Sequence, residues 1–238
     1  LCQADLLEDA WNGTGQFQGT EPIRGFGAVA GVYEEACQIV VRADSEISTV
    51  EELEGHRVSV GEEESGTKQN ALQILAAYGL NEKLVEEVSL NYTEAAKELE
   101  NGTIDAFFCT AGVQTAAITN LAQRIGIRFL NVDSAAAARL KKSYPVYDSC
   151  IIAAGTYPGQ EEDVSTVGVK AVLLASDSVS AEVVEELTAL LFEEQQELDF
   201  ALPVELITDA DAAVAGISVP FHKGAERYYE SRGEKSEN

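Results

Sequence analysis

The stretch Arg57-Val-Ser-Val-Gly-Glu-Glu-Glu-Ser-Gly-Thr-Lys-Gln-Asn70 predicts a strand, a loop and the start of a helix. Apolar and polar residues alternate over 57–60, which is typical of a short strand. Apolar residues then recur at helical spacing, at Ala71, Ile74, Leu75 and Tyr78. Gly79 stands where helices often end, so the loop is expected to lead directly into a helix that stops there.

The residues Ser65-Gly66-Thr67 give this loop a candidate function. The first N–H groups of a helix have no partner inside the helix, and they carry a partial positive charge. Such a terminus can bind a carboxylate or a phosphate. The alternative is that Ser65 or Thr67 only caps the helix, and the sequence leaves both interpretations open.

A nucleotide phosphate loop is excluded. Gly61 and Gly66 have the glycine spacing of that motif, which continues with lysine and then serine or threonine. This chain has Thr67 followed by Lys68, so the phosphate-binding lysine is displaced by one position. The three acidic residues Glu62–Glu64 would also repel a polyphosphate.

Composition excludes other classes of protein. The chain has 238 residues with 16 basic and 41 acidic side chains, and its net charge of −25 argues against nucleic-acid binding. No apolar run reaches the length of a membrane span, and no signal peptide is present. Because the chain begins at Leu1 and contains no methionine, we expect a processed or truncated product.

The sequence shows no catalytic or metal-binding constellation. The four cysteines, Cys2, Cys37, Cys109 and Cys150, are far apart and lie in apolar surroundings. His56 and His222 are the only histidines, and no Gly-x-Ser-x-Gly motif accompanies them. We therefore predict no catalytic residue, no metal and no cofactor. An enzyme remains an alternative.

The rest of the chain alternates strand-like and helix-like segments, which is typical of α/β proteins whose mostly parallel sheets carry helices on both faces. A second strand exit, Thr110–Thr115, also opens a helix. Ligands of open sheets bind at such exits, so we predict a small-molecule site shared by both loops. The patterns also predict strands Phe26–Val32 and Cys37–Arg42 with a turn at Tyr33–Glu35, and a helix over Thr93–Glu100 that Thr93 caps and Asn101-Gly102 ends. Further along, they predict a helix over Ser180–Leu198 with Val183, Val184, Leu187, Leu190 and Leu191 inward, an extended Ile217–His222, and a tail that ends in Tyr228-Tyr229 and a frayed, charged C-terminus.

Several short motifs, in their shared order along almost the whole chain, resemble the TAXI-type extracytoplasmic solute receptors of TRAP transporters. These motifs are Ala10-Trp-Asn-Gly-Thr14, Gln38-Ile-Val-Val-Arg-Ala-Asp-Ser45, Leu53-Glu-Gly-His-Arg-Val-Ser-Val-Gly61, Ser65-Gly-Thr67, Gly102-Thr-Ile-Asp-Ala106, Ala154-Gly-Thr-Tyr-Pro-Gly-Gln160 and Pro220-Phe-His-Lys-Gly-Ala225. The chain departs from the family in two places. The family's opening segment has no counterpart before Leu1, and Glu62–Glu64 replace the small residues usual before Ser-Gly-Thr.

The resemblance implies a two-lobed fold of the type II periplasmic-binding-protein kind, with domain I at 1–45 and 150–238 and domain II at 46–149. Domain I would be incomplete on its N-terminal side. The resemblance also implies a periplasmic or extracytoplasmic location, with no enzymatic activity. A small carboxylate such as glutamate or 2-oxoglutarate, or another amino acid, would bind between the domains and pass to the permease subunits of the transporter. The alternatives are an enzyme or a surface interaction protein on the same fold.

The predicted ligand-binding residues come from three places. The first strand exit and its helix supply Ser65, Gly66, Thr67 and Asn70, and the second exit supplies Gly112, Val113 and Gln114. Residues of the first domain would face them across the ligand: Trp11, Asn12 and Tyr33. A ligand carboxylate is expected at Ser65, Thr67 and the amides that follow Gly66.

Overall fold

The computed structural model describes residues 1–194 and 204–233 of the chain. The chain forms two compact units. The first unit contains Leu1–Glu34 and the part of the chain from Val169 onward, and the second contains Glu35–Gly168. The domain boundaries expected from the sequence, after residues 45 and 149, stay a prediction.

The elements of the described residues are short, apart from two strands that each contribute residues to both units. The strands are β1 Cys2–Gln3, β2 Phe26–Arg42, β3 Arg57–Ser59, β4 Glu86–Val88, β5 Ala106–Ala111, β6 Ile127–Phe129, β7 Asp148–Ile152 and β8 Val164–Ser176. The helices are α1 Ala4–Asn12, α2 Gly66–Ala77, α3 Tyr92–Asn101, α4 Ala116–Ala122, α5 Ser134–Ser143, α6 Ala181–Glu193, α7 Ala210–Val214 and α8 Lys223–Ser231. Short 3-10 turns lie at Gly15–Phe17 and Glu51–Leu53.

The sheet of the second unit places two strand exits side by side. Strand β3 pairs in parallel with β4 and with β5, and Val58 lies opposite Ala106 in the β3–β5 register. Because β3 and β5 are parallel neighbours, their carboxyl ends lie at the same edge of the sheet. The segments that follow them, residues 60–65 (the first loop) and residues 112–115 (the second loop), therefore start next to each other.

Three further pairings of the second unit are antiparallel. Residues 36–41 of β2 pair with β5, residues 40–42 pair with β6, and β7 pairs with the first part of β8. The α/β class predicted from the sequence is confirmed. The pairing is mixed, however, and not mostly parallel, because β2 runs against the direction of β5.

Burial on both faces explains the apolar run of β5. Residues 106–109 of this strand are all at most 1% exposed, as expected for a strand that lies between helical layers. Helix α2 packs against β5, and helices α3 and α4 pack against each other beside it. The core there includes Leu99, Phe107, Ile118 and Leu121, so the strand that leads to the second loop is packed into it.

The first unit contains a helix pair that the sequence only partly predicts. Helix α6 packs against α8, and Gly224 allows the close approach because a Cβ there would lie 2.7 Å from the backbone nitrogen of Glu185. Tyr229 of α8 donates its hydroxyl hydrogen to the carbonyl of Val29 at 2.8 Å. The sequence predicted no helix at Tyr228-Tyr229, but both tyrosines are buried in a helix that His222 caps. Residues 234–238 lie outside the described part.

The buried face of α6 also differs from the prediction. Val184 and Thr188 are its buried residues, whereas Val183, Leu187 and Leu190 are 55%, 38% and 53% exposed. The Thr188 hydroxyl donates to the Val184 carbonyl at 2.6 Å, so this polar side chain is satisfied within its own helix. Of the five residues predicted to face inward, Val184 is therefore buried and Leu191 half-buried, and the prediction was wrong for the other three. Residues 195–198 of the predicted helix lie outside the described residues.

Two further boundaries are corrected. Strand β2 is continuous, with no turn at Tyr33–Glu35, and these three residues lie half-buried in extended backbone. That segment contains no glycine, proline or asparagine, the residues that favour a turn. Helix α3 is capped by Asn91, whose side chain accepts the Glu94 amide hydrogen at 2.9 Å, and not by Thr93. Among the helices of the described residues, none has both the length and the apolar character needed to cross a membrane.

Candidate functional site

The two strand exits of the second unit are joined by hydrogen bonds. The amide of Thr110, near the end of β5, donates to the hydroxyl of Thr67 in the first turn of α2 at 3.4 Å. Both threonines are 4% exposed, so the contact is buried. The sequence predicted a shared site at these exits, and the structure places them in direct contact.

Glycine is required where the first loop begins. Gly61 has a φ of +100°, and a Cβ there would lie 2.9 Å from the Thr67 side chain and 3.0 Å from the Lys68 amide nitrogen. The loop therefore folds directly onto the first turn of α2. Glu64 also has a positive φ, of +60°, although it is not glycine. The chain thus adopts an unfavourable backbone conformation just before the helix begins.

Ser65 is the N-cap of α2. Its hydroxyl donates to the Glu62 carbonyl at 2.7 Å and accepts the Lys68 amide hydrogen at 3.1 Å. The capping role suggested by the sequence is therefore observed, and a part for Ser65 in ligand binding stays a prediction. In the described residues, the N–H groups of Gly66 and Thr67 have no hydrogen-bond acceptor. These two donors lie at the positive end of the helix dipole.

The hydroxyl of Thr67 is engaged within the second unit. It lies 2.5 Å from the Tyr92 hydroxyl, which in turn donates to the Thr110 carbonyl at 2.8 Å. Because Tyr92 has one hydroxyl hydrogen, the Thr67 hydroxyl must be the donor between the two. Thr67 therefore offers a ligand its backbone N–H, while its side chain ties the helix start to β5.

The second loop is held in a similar way. The Thr115 amide donates to the Tyr157 hydroxyl at 3.1 Å, and that hydroxyl donates to the Gln38 side-chain carbonyl at 2.5 Å. The Gln38 amide group points back to the Thr115 hydroxyl at 3.4 Å, and this hydroxyl donates to the Gly112 carbonyl at 2.9 Å. Gln114 is exposed, with a φ of +61°. Gly112 and Val113 are half-buried beside it.

Asn70 belongs to a network on the buried side of α2. It is fully buried, and its side-chain nitrogen donates to the Tyr147 hydroxyl at 2.7 Å. The Tyr147 hydroxyl then donates to Gln73 at 2.6 Å. These bonds support the helix from within. The predicted contact of Asn70 with a ligand stays a prediction.

The acidic side chains of the first loop point to solvent. Glu62, Glu63 and Glu64 are all exposed. Glu63 accepts from the Lys68 ammonium at 2.6 Å and from the Ser89 hydroxyl at 2.7 Å. The hydrogen bond from Lys68 holds the pKa of the Glu63 carboxyl below its ordinary value. Lys68 thus forms an ion pair with an acidic residue of the first loop.

The remaining predicted residues belong to the first unit. The Trp11 ring carries the Arg24 guanidinium 3.9 Å from its centroid and meets Phe26 edge-on. Asn12 is exposed at the end of α1, and Tyr33 is half-buried in β2. Their position opposite the two loops stays a prediction.

Chemically, this arrangement is suited to binding an anionic group. Burial raises the pKa of the Cys109 thiol, in the strand before the second loop, to about 12, so the thiol is protonated near neutral pH. Among the described residues, no three His, Cys, Asp or Glu side chains come together as a metal site would require. The groups offered by the loops are backbone donors, which favour a carboxylate or a similar oxyanion.

Three residues that organise the loops were missed at the sequence level: Tyr92, Tyr157 and Gln38. Tyr157 lies in the Ala154–Gln160 motif, and Gln38 begins another motif of the family resemblance, so a signal existed for both. No local pattern singles out Tyr92, which follows the cap of α3.

The sequence model of one protein family, described as the NMT1-like family, matches residues 1–233. The chain belongs to the NMT1-like family. This match covers both units and both loops. The narrower TAXI type suggested by the motifs is not part of that finding.

Solved structures of binding proteins are similar to this NMT1-like chain. The periplasmic aliphatic sulphonate binding protein SsuA from Escherichia coli is 19% identical with a TM-score of 0.44, over 83% of this chain and 63% of that one. A TctC solute binding protein from Polaromonas is 18% identical with a TM-score of 0.48, over 84% of this chain and 66% of that one. The NMT1-like chain thus spans less than two thirds of either structure.

Proposed function

We propose that this chain is an extracytoplasmic solute receptor that binds a small carboxylate or amino acid, such as glutamate or 2-oxoglutarate. It would deliver this ligand to the membrane permease of an ion-gradient-driven transporter of the TRAP type. The observation that carries the proposal is the pair of N–H donors of Gly66 and Thr67. They are unpaired among the described residues, and Thr67 contacts Thr110 near the end of β5, the strand that leads to the second loop. The motifs that resemble TAXI receptors support the choice of transporter.

The energetics of such a site suit a receptor. A hydrogen bond to a charged group contributes roughly 1.5–3 kcal/mol, and two such bonds with the helix dipole favour an anion without a cationic side chain. The amides are fixed by the Ser65 cap and by the buried Thr67–Thr110 contact before any ligand arrives. A preformed site loses little free energy in ordering its own groups on binding.

The test removes one donor while keeping the helix. Gly66 is the first residue of α2, a position where proline is well tolerated, and Ser65 before it has the extended backbone that proline requires, with φ −84° and ψ 152°. Gly66→Pro therefore deletes the N–H donor. Gly66→Ala is the matched control, because it adds a side chain but keeps the donor.

Calorimetric titration would use L-glutamate, 2-oxoglutarate, succinate and ethanesulfonate, the last because backbone amides also bind a sulfonate. We expect one of the carboxylates to bind, Gly66→Pro to weaken it by about 10–150-fold, and Gly66→Ala to change it by less than about threefold. Wild-type affinity in a folded Gly66→Pro variant would show that this helix start does not hold the anion. Binding of ethanesulfonate alone would show that the ligand class is a sulfonate and not a carboxylate.

A further inference from the structure

We propose that Tyr92 and Tyr157 are positioning residues that fix the first turn of α2 and the second loop in their binding geometry without touching the ligand themselves. This inference rests on the function proposed above. Each tyrosine hydroxyl closes a ring of hydrogen bonds that includes a threonine of the candidate site.

In the ring around Tyr92, each N–H or O–H group donates one hydrogen bond. The Thr110 N–H donates to Thr67, the Thr67 hydroxyl donates to Tyr92, and the Tyr92 hydroxyl donates to the Thr110 carbonyl. The Thr110 N–H is thereby bonded to the first turn of α2, and the Thr110 carbonyl to the first turn of α3. The ring fixes the Thr67 side chain, and with it the direction of the Thr67 N–H that we assign to the ligand.

The ring around Tyr157 is built in the same way from other residues. The Thr115 N–H donates to Tyr157, Tyr157 donates to Gln38, and the Gln38 side-chain amide donates to the Thr115 hydroxyl. Gln38 is 1% exposed and Tyr157 is 2% exposed, so water does not compete for these bonds. The ring holds Thr115, the residue that follows Gln114. Gln114 itself has a positive φ, which is an unfavourable conformation for a residue with a side chain.

Both tyrosines keep their hydrogen near neutral pH. Burial raises the pKa of the Tyr92 and Tyr157 hydroxyls above the ordinary tyrosine value. Each can therefore accept one hydrogen bond and donate another throughout the physiological range. Phenylalanine preserves the aromatic side chain and its packing but can neither donate nor accept these hydrogen bonds. It is therefore the appropriate substitution.

A matched control exists in the same unit. The Tyr78 hydroxyl accepts the Asp133 amide hydrogen at 2.8 Å, and Tyr78 lies at the other end of α2, after its last residue. Tyr78→Phe removes the same chemical group and one backbone hydrogen bond. It does so away from both loops.

The first arm of the test needs no ligand. Backbone amide hydrogen exchange of the full chain is measured residue by residue for Tyr92→Phe, Tyr157→Phe and Tyr78→Phe. We expect Tyr157→Phe to speed exchange at Thr115 by about tenfold or more, Tyr92→Phe to do so at Thr110, and Tyr78→Phe to affect only Asp133 and its surroundings. A uniform increase across the second unit in the first two variants would mean that they lower global stability only, and would overturn the proposal.

The second arm measures affinity for L-glutamate and 2-oxoglutarate at a temperature where all variants are folded. We expect Tyr92→Phe and Tyr157→Phe to lose about tenfold or more, and Tyr78→Phe less than about twofold. Thr67→Val added to Tyr92→Phe should cause little further loss, because both changes open the same ring. Loosened loops with unchanged affinity would refute the positioning role. If the wild-type chain binds neither probe, the proposed ligand class fails while the exchange arm still decides whether the tyrosines hold the loops.

Discussion

The first and second loops share a similar backbone arrangement but differ in charge. Both follow neighbouring parallel strands, both contain a non-glycine residue with φ near +60°, and each leads to a threonine held by a tyrosine hydroxyl. The first loop carries three glutamates and enters a helix of 12 residues. The second loop has no charged side chain and enters a helix of only 7 residues.

If the function proposed above is correct, this difference separates two tasks within one site. The first turn of α2 has oriented N–H donors at the end of a long helix dipole, so it would provide the attraction for an anion. The second loop, with its half-buried Gly112 and Val113, would then shape the site next to those donors. Substitutions in the two loops should therefore have different consequences.

The largest effect is expected at Gly61, which has no equivalent in the second loop. Gly61→Ala places a Cβ 2.9 Å from Thr67 and forces a side chain into a conformation with φ of +100°. Strain and overpacking together should lower the free energy of unfolding by about 2–4 kcal/mol, as measured by urea denaturation.

Gly55→Ala is the matched control for Gly61→Ala. Gly55 also has a positive φ, of +81°, but beyond its chain neighbours no heavy atom lies within 4 Å of where a Cβ would stand. Only the conformational cost of about 1–2 kcal/mol therefore remains. Equal losses at the two glycines would show that the first loop moves away from α2 without cost. Its close packing would then contribute nothing to the site.

A smaller effect tests the feature that the loops share. Glu64→Gly and Gln114→Gly should each relieve the left-handed strain, at φ of +60° and +61° respectively, while raising the entropy of the unfolded chain. The two contributions oppose each other, so a net gain of up to about 1 kcal/mol in unfolding free energy is expected for each variant by urea denaturation. A clear loss in only one variant would mean that its side chain makes a stabilising contribution that the other lacks.

The parts of this site that the sequence predicts are those with a local pattern. The strand before Gly61, the helix after Ser65 and the exit after β5 each follow from a period of two or of three to four along the chain. The adjacency of the two exits follows from the parallel βαβ arrangement that those patterns indicate. Asn101-Gly102 likewise ends α3 as predicted, with Gly102 in the left-handed conformation.

The parts that escaped prediction depend on contacts between distant residues. Tyr157 donates a hydrogen bond to Gln38, which is 119 positions away in the sequence. The Thr67 hydroxyl donates to Tyr92, which is 25 positions away. No local pattern specifies which partner a buried hydroxyl will choose. The continuous strand β2 and the exposed apolar face of α6 also depend on distant contacts. Packing partners decide whether polar residues lie within a strand, and which face of a helix is buried.

The smallest prediction concerns the charges that distinguish the first loop. Glu62 and Glu64 are exposed, so water screens their effect on an anion at the start of α2. At a separation of about 8 Å in water, each charge would repel a ligand anion by about 0.5 kcal/mol. The variant carrying both Glu62→Gln and Glu64→Gln should therefore bind a carboxylate about threefold to fivefold more tightly at low salt, as measured by calorimetric titration.

That gain should decline at physiological ionic strength, where the screening length is about 8 Å. The control is the pair Glu161→Gln and Glu162→Gln, two exposed acids of the same unit that lie outside both loops and make the same change in net charge. If the control pair raises affinity as much, the effect belongs to the overall charge of −25 and not to the first loop. If neither pair changes the affinity at low salt, the glutamates of the first loop do not repel the ligand measurably. The two loops would then differ only in the N–H donors that they present.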